Sequence, residues 1–251
     1  MQISFTKDNL DTFLKELAKE YRRQVGKSVP AEITLIGGAA VLANYGFRDM
    51  TTDIDALIRA ASAMQDAIIR VGDRYQLPGG WLNDDFTKTA SFSPRLEAFS
   101  TYYKTFSNVL TIRTMTGEYL VVMKLRSGRQ YKSDFSDVLG VLAEHEKRGT
   151  PISMERIRQA VTDLYGEWNA LPETSRNFII NVMQTGHFQE LYAQTMQGER
   201  ETRNLLLRFE ETYPGVTQED NVDDIAGTLQ KKASKAAILA QLRERQAGRE
   251  D

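Results

Sequence analysis

Residues 34–58, TLIGGAAVLANYGFRDMTTDIDALI, constrain the fold more than any other part of the chain. An apolar run typical of a strand ends at two glycines, Gly37 and Gly38, and a short helical stretch follows them. The next apolar run, TTDIDALI, also has the composition of a strand, yet it contains Asp53 and Asp55. The segment therefore predicts a strand, a glycine turn, a short helix and a second strand that carries two carboxylates.

The two carboxylates predict a divalent metal. Side chains alternate between the faces of a strand, so we expect Asp53 and Asp55 to point the same way. Two like charges on one face repel each other unless a cation lies between them. Mg²⁺ suits that position because it prefers carboxylate oxygens and completes its shell with phosphates and water. The pair therefore predicts a site for Mg²⁺ or Mn²⁺.

The glycine pair adds a place for a phosphate. A glycine turn at the start of a helix lets backbone N–H groups approach a phosphate, and the helix dipole favours the anion. A phosphate cradle beside metal-binding carboxylates is typical of phosphoryl or nucleotidyl transfer. Each feature alone has an ordinary explanation, as a tight turn or as a solvent-facing strand end. Their order, with a short helix between them, favours the functional interpretation.

Two different sequence patterns divide the chain as a whole. Strand and helix patterns alternate in residues 1–148, whereas from Pro151 onward every segment has helical periodicity. The last convincing strand pattern is NVLTIRT, which ends at Arg113. We therefore expect an α/β (α+β) domain over 1–148 and an all-helical domain over 149–251.

Composition excludes several classes of protein. The chain has 251 residues, no cysteine and a formal net charge of −2. Disulfide scaffolds, thiol catalysis and thiolate metal sites are therefore excluded, and no global positive field points to nucleic acid. Neither an apolar run of about 18 residues nor a signal peptide is visible. We expect a cytoplasmic protein with no membrane span.

The opening stretch also resembles a known signature. LIGGAAVLANYGFRDMTTDIDALI is similar to the motif of the DNA polymerase β-like nucleotidyltransferase superfamily, in which a Gly-Gly or Gly-Ser turn and a short helix precede Asp-x-Asp. The nearer likeness is to DUF6036, a bacterial branch akin to the AbiEii-type toxins of abortive-infection and toxin–antitoxin systems. It covers about residues 31–142. Further matching positions are Arg48 to Asp55, Trp81 to Asp84, Lys124, Arg126, Arg129, Asp134 and Asp137.

The resemblance implies a small mixed-sheet nucleotidyltransferase core with flanking helices, and a Mg-dependent transfer of NMP from an NTP to an acceptor hydroxyl. It implies catalytic and metal-binding roles for Asp53 and Asp55, and nucleotide-binding roles for Gly37, Gly38, Thr52, Lys124, Arg129 and Asp134. The expected partners are an NTP, an acceptor that is RNA such as tRNA, a protein or a small molecule, and a cognate antitoxin.

Several of these positions also have structural explanations. Lys124, Arg126 and Arg129 fit a solvated helix face equally well. Asp134 and Asp137 would favour the helix dipole in the first turn after Ser133 regardless of function. Arg48 can anchor the loop before the strand, and Trp81 is better explained by core packing than by base stacking.

Two departures from the family pattern leave the catalytic step open. The superfamily often has Ser after the first glycine of the turn, whereas Gly38 and Ala39 supply no hydroxyl. Active members often carry a third carboxylate on a later strand, and NVLTIRT has none. Candidate substitutes are Asp84, Asp85, Glu97 and Glu118. The alternative function is therefore a nucleotidyltransferase-fold protein that binds a nucleotide or a partner without turnover.

Overall fold

The strands and helices belong to a computed structural model that describes residues 4–129, 132–218 and 221–247, with side chains as far as residue 234. The strands are β1 (Phe5–Thr6), β2 (Ala31–Leu35), β3 (Met50–Thr51), β4 (Ile54–Arg59), β5 (Leu82–Asn83), β6 (Ser100–Phe106) and β7 (Leu110–Met115). The helices are α1 (Lys7–Val25), α2 (Gly37–Asn44), α3 (Ala63–Tyr75), α4 (Gly117–Ser127), α5 (Asp134–Lys147), α6 (Met154–Tyr165), α7 (Glu173–Thr185), α8 (Phe188–Thr212) and α9 (Val222–Ala247).

The central sheet is mixed, with strand order β5-β4-β2-β7-β6. The β2–β7 and β4–β5 pairs are parallel, whereas the β2–β4 and β6–β7 pairs are antiparallel. Strands β1 and β3 form a separate antiparallel pair. The predicted mixed α/β core followed by a helical C-terminal region is confirmed.

The pairing of β2 with β4 brings the two halves of the opening segment together. Ile33 and Leu35 on β2 and Ile54 and Ala56 on β4 are fully buried, which holds both strands in the sheet by burial of apolar surface. In the register Leu35 lies opposite Ala56. The end of β2, where the glycine turn begins, therefore lies beside the start of β4.

Helices α1 and α3 pack together beside the sheet, and Trp81 belongs to their core. Thr6 and Asn9 form a reciprocal capping box at the start of α1. Trp81 is 2% exposed, stacks on Phe5 and donates its indole N–H to the Ile68 carbonyl at 3.0 Å. The interpretation of Trp81 as core packing is confirmed.

Element boundaries differ from the predictions at the opening segment. Helix α2 starts at Gly37 itself, so the glycines form its first turn instead of preceding it. Strand β4 starts at Ile54, so Asp53 lies outside it. The two-residue strands β1, β3 and β5 were not predicted, because two residues are too few to show a periodic pattern. In the described part of the chain no strand follows β7.

Contacts within the chain define two compact units. The first comprises Met1–Gly128 and Asp137–Gln189, and the second comprises Arg129–Ser136 and Glu190–Asp251. Inside the second unit, Leu206 packs with Val222 and Ala226 in a small apolar cluster. The predicted domain boundary after residue 148 stays a prediction, because a compact unit is not by itself an independently folding domain. No helix in the described ranges is long and apolar enough to cross a membrane.

Candidate functional site

The glycine turn presents backbone donors at the start of α2. Gly37 has a φ of +55°, a conformation that glycine adopts without the steric strain of a Cβ atom. Ile36, the residue before the helix, provides no side-chain cap, and Ala40 donates its N–H back to the Ile36 carbonyl at 3.2 Å. The first N–H groups of a helix have no partner inside it. Those of Gly37 and Gly38 are therefore placed to bind an anion.

Asp55 faces this turn. Its backbone carbonyl accepts the Ile36 N–H at 2.9 Å, which ties β4 to the residue before the glycines. A Cβ atom at Gly37 would lie 3.4 Å from Asp55 Oδ2. The side chain of Asp55 is partly exposed. A metal ion held by Asp55 would therefore lie next to an anion held by the turn.

Asp53 and Thr52 precede β4 and are exposed in the bend between β3 and β4. The prediction that Asp53 lies within the strand is wrong, because ladder pairing in the described structure begins at Ile54. Strand alternation therefore does not fix the direction of its side chain. Asp53 has no hydrogen bond or ion pair with the described residues, so its carboxylate oxygens remain available to a metal.

Lys124 and Arg48 share one buried carboxylate. Asp137 Oδ2 accepts from Lys124 Nζ at 2.8 Å and from Arg48 Nη1. The side chains of Asp137, Lys124 and Arg48 are 4%, 10% and 19% exposed. The interpretation of Lys124 as part of a solvated helix face is therefore wrong. Burial of a lysine requires a partner, and Asp137 supplies one.

Arg48 also touches the turn, which joins the two parts of the site. A Cβ atom at Gly38 would lie 3.0 Å from Arg48 Nη2 and 2.7 Å from Thr51 Oγ1. The glycine turn therefore lies between Asp55, which borders Gly37, and Arg48, which borders Gly38 and pairs with Asp137. The Arg48–Asp137–Lys124 group draws one side chain each from the loop before β3, from α5 and from α4.

Arg129 and Asp134 form a pair of their own within the second unit. Helix α4 ends at Ser127, and Gly128 adopts the left-handed conformation that ends it. Arg129 therefore lies beyond the end of the helix, and the interpretation of Arg129 as part of a solvated helix face is wrong. Its backbone N–H and its Nε donate to Asp134 Oδ2 at 3.2 and 2.9 Å. Nucleotide binding by Arg129 and Asp134 stays a prediction.

The candidates for a third carboxylate are mostly engaged elsewhere. The ion pairs are Asp85 with Lys88, Glu97 with Arg59 and Glu118 with Arg156. Burial raises the pKa of Glu118, but the hydrogen bond and charge of Arg156 together with hydrogen bonds from the backbone and Thr116 lower it by more, so the net pKa lies below the ordinary value. A carboxylate with a lowered pKa is a weaker base at neutral pH.

Asn83 stands where β5 meets β4, in register with Asp55. Its side chain bonds locally, donating to the Gly80 carbonyl at 3.0 Å and accepting the Asp85 N–H at 2.9 Å. Among the described residues no three Asp, Glu, His or Cys side chains form a metal-holding group. Two carboxylates still fit Mg²⁺, which is commonly held by one or two carboxylates together with substrate phosphates.

Comparison with known proteins identifies the family of the chain. A family model described as a nucleotidyltransferase of unknown function, DUF6036, matches residues 12–163, which is more than half of the chain. The chain belongs to the DUF6036 family. The matched range contains the glycine turn, both candidate metal ligands and the Lys124–Asp137 pair of this DUF6036 protein. The curated proteins and the solved structures gave no match.

Sequence reasoning undervalued two residues of this DUF6036 site. The structural explanation for Arg48 was a loop anchor, and that for Asp137 was an acidic residue in the first turn of a helix. Their meeting with Lys124 joins residues 89 and 13 positions apart, which no local pattern encodes. The available signal was that both residues belong to the blocks that resemble the family.

Proposed function

We propose that this DUF6036 protein is a Mg²⁺-dependent nucleotidyltransferase that moves NMP from an NTP to an acceptor hydroxyl. The observation that carries the proposal is the uncapped N-terminus of α2 at Gly37 and Gly38, with Asp55 on one side and Arg48 on the other. The turn and the cation bind the triphosphate, while Asp53 and Asp55 hold the metal. The family match supports the reaction class.

The charge of the site supports a role for the metal. Three carboxylates, those of Asp53, Asp55 and Asp137, stand against the two cations of Arg48 and Lys124. The formal charge is therefore negative, and a triphosphate alone would be repelled. A divalent cation between the carboxylates and the phosphates reverses that balance. We expect NTP binding to depend on Mg²⁺.

The reaction is an in-line displacement at the α-phosphorus. The acceptor oxygen forms a new bond to that phosphorus, the bond to the bridging oxygen of the β-phosphate breaks, and pyrophosphate leaves. The hydroxyl proton passes to a base or to water. When bound, Mg²⁺ supplies charge neutralisation on the phosphate oxygens. The chain itself contributes positioning, which is the main task of the protein in phosphoryl transfer.

Lys124 and Asp137 act as a unit in this proposal. Lys124 is a compact charge on a long stem, and Asp137 fixes the direction of its ammonium through the 2.8 Å contact. An ammonium that is already oriented loses less conformational entropy when the triphosphate binds. Thr52 lies in the exposed bend before Asp53, and in this proposal it contacts the nucleotide.

The proposed classes of acceptor rest on the family resemblance. An RNA such as tRNA, a protein side chain or a small molecule each offers a hydroxyl. By resemblance to AbiEii-type toxins we propose a toxin–antitoxin or abortive-infection role in the cytoplasm, with a cognate antitoxin as partner. Two experiments test that role. The protein should co-purify with the product of a neighbouring gene. Its expression alone should arrest growth, and co-expression of that product should restore growth.

The reaction class is tested by transfer of labelled NMP. Purified protein is incubated with each of the four α-labelled NTPs, Mg²⁺, cellular RNA and cellular protein. We expect one NTP to label one acceptor class. Asp53→Asn should lower the rate at least about 100-fold, equivalent to about 2.7 kcal/mol of barrier. Asp66→Asn, which removes an exposed carboxylate on α3, is the control and should leave the rate unchanged.

One observation favours a second candidate, a nucleotide-binding module without turnover. Among the described residues no third metal-ligating carboxylate joins Asp53 and Asp55, since Asp137 is paired with Lys124 and Arg48, and in related enzymes a third carboxylate can deprotonate the acceptor. Saturable Mg-NTP binding that Asp55→Asn abolishes, with no label transferred to any acceptor, would support the module and contradict the enzyme.

A further inference from the structure

Arg48 is held by two hydrogen bonds, which use only part of its N–H donors. Its Nε donates to the Met50 carbonyl at 3.0 Å, and its Nη1 donates to Asp137 Oδ2. A guanidinium has five N–H donors, so three remain, including both on Nη2. None of these three has an acceptor among the described residues. A partly buried cation with unused donors has a strong requirement for hydrogen-bond acceptors.

The unused end of Arg48 occupies the space beside Gly38. A Cβ atom there would lie 3.0 Å from Nη2, 3.2 Å from Cζ and 2.7 Å from Thr51 Oγ1. Real Cβ atoms essentially never come within 3.0 Å of another group's atoms, so a side chain at position 38 must displace Thr51 and press on Arg48. Thr51 is buried, and Arg48 is pinned at both Nε and Nη1. The space that a side chain at position 38 would need is therefore taken by Thr51 and Arg48, and both of these carry hydrogen-bond donors.

We propose that Arg48 is a direct ligand of the triphosphate and that Arg48 and Thr51 replace the side-chain hydroxyl that position 38 lacks. The inference rests on the proposed function, because the anion at the glycine turn is the triphosphate of that proposal. Nη2 and the N–H groups of the turn converge on the same phosphate oxygens. The Thr51 hydroxyl, which has no hydrogen bond to a described residue, adds a further donor.

The chemistry requires an arginine and not merely a positive charge. A guanidinium offers parallel N–H donors that bind phosphate through two oxygens, whereas an ammonium acts as a point charge. Arginine also keeps its remaining donors on Met50 and Asp137 while it binds, so its orientation is set before the ligand arrives. A lysine at this position would have to leave one of these partners in order to reach the phosphate.

The test is a double-substitution cycle between Gly38→Ser and Arg48→Ala, read as the Kd for Mg-NTP by calorimetry. We expect each single variant to weaken binding at least about tenfold. In the Arg48→Ala background we expect Gly38→Ser to have at least about a threefold smaller effect, because the guanidinium that it displaces is already gone. Equal effects of Gly38→Ser in both backgrounds would overturn the proposal.

Two further variants separate this role from folding and from charge. Arg48→Lys should recover less than half of the loss in log Kd, and full recovery would show that charge alone suffices, which contradicts the forked contact. Arg59→Ala removes an exposed cation of the same sheet that pairs with Glu97, and it should leave the Kd unchanged. Thermal unfolding of every variant is measured, and only variants that are folded at the binding temperature enter the comparison. If Arg48→Ala is unfolded there, Arg48→Lys and Gly38→Ser carry the test.

The same titrations distinguish this inference from the proposed function. If Mg-NTP binds and Asp55→Asn abolishes binding while Arg48→Ala leaves the Kd within about twofold, the inference fails and the function stands. If no NTP binds but inorganic tripolyphosphate does, and Arg48→Ala abolishes it, the anion site stands and the nucleotide assignment fails. Binding of neither probe to the unsubstituted protein overturns both.

Discussion

Two buried carboxylates of the first unit, Glu20 and Asp137, each hold a group of cations, but the cations differ in what surrounds them. Glu20, on α1, accepts from Arg23 Nη2 at 2.7 Å and from Arg74 Nη2 at 2.8 Å, and Arg70 Nη1 lies 3.8 Å away. These arginine side chains are 63%, 41% and 59% exposed. Water therefore solvates their remaining donors, and the cluster joins α1 to α3.

Asp137 holds cations that are shielded from water. Lys124 and Arg48 are 10% and 19% exposed, and Arg48 lies against the first turn of α2. A buried carboxylate with arginines around it therefore does not by itself indicate a site. The difference lies in the surroundings of the unused arginine donors, which meet bulk water around Glu20, whereas those of Arg48 lie beside an uncapped helix start.

The largest expected effect separates the two carboxylates directly. Asp137→Asn removes the charge of a carboxylate that two poorly solvated cations share, so we expect it to lower stability by about 3 kcal/mol and to raise the Kd for Mg-NTP at least about tenfold. Glu20→Gln should lower stability by less, since exposed arginines remain solvated, and should leave the Kd unchanged. Urea unfolding and calorimetric titration measure the two quantities.

A weaker variant protects this test against loss of the fold. Asp137→Glu keeps the charge but moves the carboxylate by one methylene, and we expect it to raise the Kd with a smaller loss of stability. The contrast between the regions would be refuted if Glu20→Gln and Asp137→Glu changed the Kd equally.

The glycines of the two regions provide a second comparison. Gly37 at the turn has a φ of +55°, and Gly26 at the end of α1 has a φ of +77°. An alanine at either position is strained, by about 1–2 kcal/mol. We expect both Gly37→Ala and Gly26→Ala to lower stability, measured by urea unfolding, but only Gly37→Ala to weaken Mg-NTP binding. Weakened binding in Gly26→Ala would show that the affinity merely follows stability.

The sequence predicted the part of the site that lies within one continuous segment. Gly37, Gly38 and Asp55 could be found because a strand, a turn and a strand follow one another, and their proximity follows from chain connectivity. The joint use of Asp137 by Arg48 and Lys124 depends on how the loop before β3, α4 and α5 pack, and sequence spacing does not encode that packing.

The limits of the strand patterns have similar causes. Asp53 lies only one residue outside β4, and a period-2 pattern cannot mark a strand end that closely. Strand β5 has two residues, too few to display alternation, so the register of Asn83 with Asp55 could not be predicted. Lys124 looked like a solvated charge because a single sequence does not reveal its buried partner.

A third prediction concerns Trp81, which belongs with α1 and α3 and not with the glycine turn. Trp81→Phe removes the indole N–H that bonds the Ile68 carbonyl and shrinks a side chain that is 2% exposed. We expect a loss of stability of about 1–3 kcal/mol, measured by urea unfolding, and no change in the Kd of any of the four NTPs. A Kd that rose for one base alone would instead assign Trp81 to base recognition.

The smallest expected effect is a pH dependence on the Glu20 side of the comparison. Burial raises the pKa of Glu20, but hydrogen bonds from Arg74 and Arg23 lower it more, so the net pKa lies below its ordinary value of 4.5. The unfolded chain then takes up the proton at a higher pH than the folded chain does. This contribution to stability is present above about pH 4.5 and is lost as the pH falls below it.

Urea unfolding between about pH 5.5 and pH 3.5 measures this effect. The free energy of unfolding should fall less steeply with pH in Glu20→Gln than in the unsubstituted protein. Identical slopes would mean that the arginines do not stabilise the ionised carboxylate of Glu20.

The most direct test of the central claim is the Mg²⁺ dependence of NTP binding in the unsubstituted protein and in Asp55→Asn. We expect Mg²⁺ to tighten binding of the preferred NTP at least about tenfold over a chelator control. In Asp55→Asn, which removes the carboxylate that faces Gly37, Mg²⁺ should give no tightening. Binding that ignores Mg²⁺, or a Mg²⁺ effect that survives unchanged in Asp55→Asn, would contradict a metal–nucleotide site at the glycine turn.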